Sequence, residues 1–127
     1  MTIETDLETV RKQFTPQAPP NQARIQTVEK LVAAGIPTQV AIAPLLPSSE
    51  YFPHKLKYIV NRICIDDYFM GDGSAGKRTE KIGIKEKYSE LGFEEWYTPQ
   101  AYQKVYTRFL EVFPNNQIYI SQCGFEP

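Results

Sequence analysis

The chain has 127 residues, enough for one domain and too few for two comfortable ones. Hydrophobic residues make up 42% and aromatic residues 13%, so a packed core is within reach at this length. Lys and Arg number 14 against 15 Asp and Glu, and the resulting net charge of -1 excludes a strong overall pull toward nucleic acid, membranes or acidic ligands.

Met1 to Asp6 shows no basic-then-apolar leader, and no apolar run approaches the ~20 residues of a membrane span. Together with two cysteines far apart in sequence, Cys64 and Cys123, this predicts a cytoplasmic protein with buried thiols. Residues 2–5 read as the stub of a first strand. A short helix is predicted over 7–13, with Asp6 as N-cap and Glu8 in its first turn. Pro16, Pro19 and Pro20 then force an extended connection, because each fixes φ and removes a donor.

Asn21 reads as the N-cap of the next helix, whose apolar face is Ile25, Val28, Leu31 and Val32. Gly35 ends it and Pro37 prevents its continuation. The strand at 38–43 is apolar without alternation, the pattern of a parallel strand covered on both faces. A helix over about 50–61 turns Leu56, Ile59 and Val60 inward, and a strand follows at 63–69. Residues 71–76 form a glycine-rich loop, and 77–97 is charged, aromatic and poorly periodic, with a helical turn or two over 81–88.

Thr98 and Pro99 signal N-cap and first turn of the last helix, with Tyr102, Val105, Tyr106, Phe109, Val112 and Phe113 on its apolar face. Pro114, Asn115 and Asn116 turn the chain into a strand at 117–122. Alternation of this kind predicts an α/β fold of mostly parallel strands with crossover helices. The sheet edge at 2–5 lies open to self-association.

Four segments and one residue, taken in order, resemble a known family. They are Thr2-Ile3-Glu4-Thr5, Pro16-Gln17-Ala18-Pro19, Arg24, Gly35-Ile36-Pro37 and Ala43-Pro44-Leu45-Leu46-Pro47. The series is similar to the C-terminal half of radical S-adenosylmethionine enzymes of the spore photoproduct lyase-like branch, closely over 2–47 and loosely over 63–73. The resemblance implies a partial, half (β/α) barrel in which the strands at 2–5, 38–43 and 63–69 are the fourth, fifth and sixth. Their carboxyl ends would hold the ribose, adenine and methionine parts of S-adenosylmethionine through Thr5, Ala43, Pro44, Leu45, Leu46 and Asp67. Glu4 stands where the family has a small hydroxyl residue.

The family's chemistry also needs a CxxxCxxC loop carrying a four-iron, four-sulfur cluster, since three thiolates leave one iron open. Two distant cysteines do not supply it. The chain alone is therefore expected to be catalytically silent, keeping a weak or vestigial S-adenosylmethionine subsite. The iron–sulfur cluster would come from a missing N-terminal half or a partner chain. The branch also implies DNA as substrate.

Other readings stand beside this one. A free-standing α/β binding or scaffold module without chemistry needs none of these partners. Gly71 to Thr79 nearly spells a phosphate loop, but Arg78 sits where a hydroxyl must meet magnesium. Lys77, Arg78, Lys81, Lys85 and Lys87, with Tyr88 and Trp96, form a basic, aromatic stretch suited to a nucleic-acid backbone and a stacked base, although glutamates interleave. Asp66 and Asp67 end a strand and alternate to opposite faces, with Asp67 nearer the mouth. His54 reads as a surface residue, and Ser48 and Ser49 as capping residues rather than nucleophiles.

Overall fold

A computed structural model describes residues 1–67 and 83–120. Helix α1 spans Glu8–Phe14 and α2 spans Asn21–Ala33. Strand β1 is Val40–Ile42, α3 is Phe52–Leu56 and β2 is Ile63–Ile65. Helix α4 covers Ile84–Glu90, a 3-10 turn covers Glu94–Trp96, and α5 covers Ala101–Leu110. A second 3-10 turn at Asn115–Gln117 leads into β3, Ile118–Ile120. Among the described residues no helix is long and apolar enough to cross a membrane.

The three strands form one open sheet in chain order, and both pairings are parallel. Ala41 lies opposite Cys64, and Cys64 opposite Tyr119. The 2–5 segment adds a single parallel bridge, Thr2 to Ala41, made by Ile3 N–H to Ala41 C=O (2.9 Å) and Ala41 N–H to Met1 C=O (2.8 Å). Every residue of β1 and β2 is buried, as expected of parallel strands covered on both faces. One apolar cluster runs through Ile3, Val28, the strands, Phe52, Tyr88, Val105 and Phe109. The α/β class and the parallel pairing therefore stand as expected. The strands are shorter than expected, and the last three residues of the 63–69 strand and the end of the 117–122 strand lie partly outside the described residues.

Gly35 stops α2 by a mechanism its sequence announces. At φ 77° it takes the left-handed conformation after the C-cap Ala34. Its N–H reaches Val32 C=O and the next N–H, of Ile36, reaches Leu31 C=O, both at 3.0 Å. These two bonds satisfy carbonyls that the helix end leaves open.

The starts of the helices differ from expectation. Asp6 does not cap α1; Leu7 holds that position with no side-chain bond, and Asp6 reaches across to Ser49 and Lys55 instead. Asn21 is the first helical residue of α2, and its side chain accepts from Arg24. Thr98 and Pro99 belong to a turn, closed by Ala101 N–H on Thr98 C=O at 3.2 Å, and α5 begins two residues later than the dipeptide suggests. The 50–61 helix closes at Leu56 and continues only as turns, with Ile59 and Val60 N–H both bonded to Leu56 C=O. For Asp6 and Asn21 another partner engages the side chain and competes with the cap.

Candidate functional site

Parallel pairing puts the carboxyl ends of all the strands on one side of the sheet. The 43–47 loop leaves β1 there, through a cis Ala43–Pro44 peptide. Four neighbouring segments hold it. Leu45 N–H donates to Asp66 C=O at 2.9 Å, which ties the loop to the end of β2. Leu46 N–H donates to Glu4 C=O at 3.4 Å, and Thr5 Oγ1 donates to Pro47 C=O at 2.6 Å. Tyr88 of α4 donates its hydroxyl to Leu45 C=O at 3.2 Å, and Arg108 of α5 reaches Ser48 C=O at 3.4 Å.

The expected site residues are thus gathered at one end of the sheet, but they present themselves unequally. Ala43 and Pro44 are half-buried. Leu45 and Leu46 have 2% and 0% exposure and pack in the core, so their side chains back the loop rather than face outward. Thr5 is fully buried; its one proton goes to Pro47 and its oxygen also accepts from Leu7 N–H at 3.1 Å.

Asp66 and Asp67 are both buried, and Asp67 N–H donates to Asp66 Oδ1 at 2.9 Å. The expected split to opposite faces does not describe them, because β2 ends at Ile65 and strand alternation ends with it. Burial pushes the Asp66 carboxyl up; the bond from Asp67 N–H works against this, and the Asp67 charge works with it.

Sequence reasoning missed the supports of this site. Glu4 is buried because Arg24 meets it: Nη1 lies 2.8 Å from Glu4 Oε2 and also 2.8 Å from Thr2 C=O, while Nη2 bonds Asn21 Oδ1. Arg24 therefore covers the outward carbonyl of the 2–5 segment, an edge the sequence leaves open. Tyr88 is fully buried between the rings of Phe14 and Tyr97, at 4.8 and 5.2 Å. Its position four residues after Ile84 on α4 was the available signal, masked by the charges around it. Trp96 is buried too, with Lys104 4.9 Å from its ring. The base-stacking role expected of Tyr88 and Trp96 is corrected accordingly, since neither ring is offered to solvent.

Ser49 Oγ donates to Asp6 at 2.5 Å and accepts from Tyr51 N–H at 3.1 Å. Its neighbour Asp6 also receives Ser49 N–H and Lys55 Nζ, at 2.8 and 2.7 Å. Burial acts to raise the Asp6 carboxyl, but the bonds from Lys55 and Ser49 overcome it and hold the group low. A low-lying carboxylate is a poor base, so this cluster is a clasp between chain segments rather than an activated hydroxyl. His54 is exposed, as expected. The phosphate-loop-like residues 71–79, with Lys77, Arg78 and Lys81, lie outside the described residues, as does Cys123.

No family model, curated protein or solved structure matches the chain. What the site accepts has to be judged from its own groups. A four-iron, four-sulfur cluster does not fit them: the whole chain has two cysteines, and Cys64 is enclosed in the middle of β2. Among the described residues no group of three His, Cys, Asp or Glu is arranged to hold a metal. The polar groups at this end of the sheet are the buried carboxylates of Asp66 and Asp67, and the half-buried Ala43 and Pro44 give it apolar surface.

Proposed function

We propose that the chain is the carboxyl-terminal half of a partial (β/α) barrel like that of radical S-adenosylmethionine enzymes of the spore photoproduct lyase-like branch. In this reading it supplies the ribose- and adenine-facing side of the S-adenosylmethionine site. One observation carries the reading: the 43–47 loop stands at the shared carboxyl end of parallel strands ordered as in the chain, clamped to the 2–5 segment and to Asp66. Ligands of barrels and open parallel sheets bind at that end.

The roles divide by exposure. Ala43 and Pro44 flank the adenine ring, with Leu45 and Leu46 setting the loop's height from within the core. Asp67 accepts from a ribose hydroxyl or from the ligand's amino group. Thr5 holds the loop's far end and leaves ligand contact to its neighbours. Because the residues present do not fit the cluster, no reaction is assigned to this chain alone; a cluster-bearing partner would have to provide it. DNA as the partner's substrate follows from the same resemblance, and a cytoplasmic setting from the two separated cysteines.

A second reading has its own observation. The near-complete burial of Leu45 and Leu46 suits a loop that merely clasps the sheet, as in a scaffold module without a ligand. Calorimetric titration of S-adenosylmethionine into the chain separates the two. Saturable heat that falls by roughly tenfold in affinity for Asp67→Ala supports the cofactor site, tenfold being the loss of about one charge-assisted hydrogen bond. Absence of heat, with or without a cluster-bearing partner, leaves the module.

A further inference from the structure

At the opposite end of the sheet, before the amino ends of β1 and β2, lies a hollow of about 420 Å³ open to solvent. One wall is the exit of α2, with Val32, Ile36 and Pro37; the other is the connection from α3 to β2, with Lys57, Tyr58 and Asn61. Three of the six exposed large hydrophobics among the described residues line this one place: Val32 at 42%, Ile36 at 48% and Tyr58 at 89%. Scattered single exposures are ordinary, whereas convergence on one concavity marks a contact surface. Ile36 follows the left-handed Gly35, a position whose side chain usually folds back on its own helix; here it faces water.

Among the described residues the only charged one lining the hollow is Lys57, whose ammonium lies 5.2 Å from the centre of the Tyr58 ring. It joins none of the ion pairs among the described residues. From 51 to 65 the chain carries Lys55, Lys57 and Arg62 and no acidic residue; Lys55 is paired with Asp6 and Arg62 lies over the Tyr119 ring, so the charge presented at the hollow is that of Lys57.

We propose that this hollow docks an acidic, apolar segment of a partner protein. Shape argues for a segment over a small molecule, because a site so open cannot enclose most of a compact ligand's surface. Charge argues for acid: an apolar side chain seated against Val32 and Ile36 would place a neighbouring carboxylate at Lys57. Tyr58, large, amphipathic and restricted to two side-chain torsions, is the residue type that anchors such contacts. The area is small, so the contact is transient on its own.

The test uses fluorescence anisotropy with the full chain and a short labelled peptide alternating Leu or Phe with Glu, beside its Lys counterpart. The acidic peptide should bind, and Tyr58→Ala should weaken it by roughly tenfold. Lys57→Glu should turn the preference toward the basic peptide. Both residues are exposed, so the variants keep the fold, which circular dichroism checks. Failure of the acidic peptide to bind, or equal binding by the wild type and both variants, overturns the proposal. So does self-association abolished by Tyr58→Ala, which assigns the hollow to a second copy of this chain. Displacement of the peptide by decanoate with decanoate saturating on its own assigns it to a lipid-like acid and likewise overturns the proposal.

Discussion

Asp6 has a side chain with no exposed surface, yet its carboxyl is held below the ordinary range by donors from Lys55 and from Ser49. An unfolded aspartate titrates near about 3.9. A group whose folded value lies lower contributes stability above that pH and loses it as the pH falls through the folded value. Denaturant melts should therefore weaken below about pH 4, and Asp6→Asn should flatten that dependence. At pH 7, Asp6→Ala leaves Ser49 N–H without its acceptor and should cost about 1–3 kcal/mol. Asp66 carries the opposite sign. Its folded value is raised, so its contribution is full at low pH and is lost as the pH rises through that value. Asp66→Asn keeps an acceptor for Asp67 N–H and removes the buried charge. Thermal melts at pH 7 should show the variant more stable than wild type, and melts near pH 3 should show no gain; equal melts at both would mean that burial does not govern this carboxyl.

Arg24 shows how one helix secures an edge. From α2 it reaches Thr2 C=O and Glu4, and Arg24 and Glu4 are both buried. Breaking such a pair from one side strands a charge, so Arg24→Met should cost about 3–5 kcal/mol, and adding Glu4→Leu should restore much of it. A denaturation midpoint unmoved by Arg24→Met would deny the pair this role. Nothing in the sequence marks Arg24 as inward-facing, since its burial follows from where Glu4 happens to lie. Other elements were legible. Gly35 stops α2 because only its backbone accepts φ 77° without strain, and the unbroken apolar runs at Val40 and Ile63 are the mark of strands covered on both faces. The caps were not legible: Asp6, Asn21 and Thr98 all have the right chemistry, but Asp6 is drawn off by the distant Ser49 and Lys55, Asn21 bonds Arg24 one turn on, and α5 starts beyond Thr98.

The molecule divides its two ends by chemistry. At the carboxyl end of the sheet, carboxylates and a proline-bracketed loop are held from four sides. At the amino end, apolar side chains and Lys57 are left facing water. The position of the 43–47 loop could be read from the order of elements, because a parallel strand's exit falls at the carboxyl end by construction. Its inward leucines could not, since an apolar loop residue reads equally well as pocket wall or core. The support from Tyr88, arriving from 43 residues away, had no local trace at all. The most direct measurement is amide NMR of the isotope-labelled chain during addition of S-adenosylmethionine. The proposed site requires saturable shifts concentrated at Ala43, Leu45, Asp66 and Asp67 that need roughly tenfold more ligand in Asp67→Ala. Spectra that stay unchanged at millimolar ligand, or shifts gathered instead around Val32 and Tyr58, would contradict it.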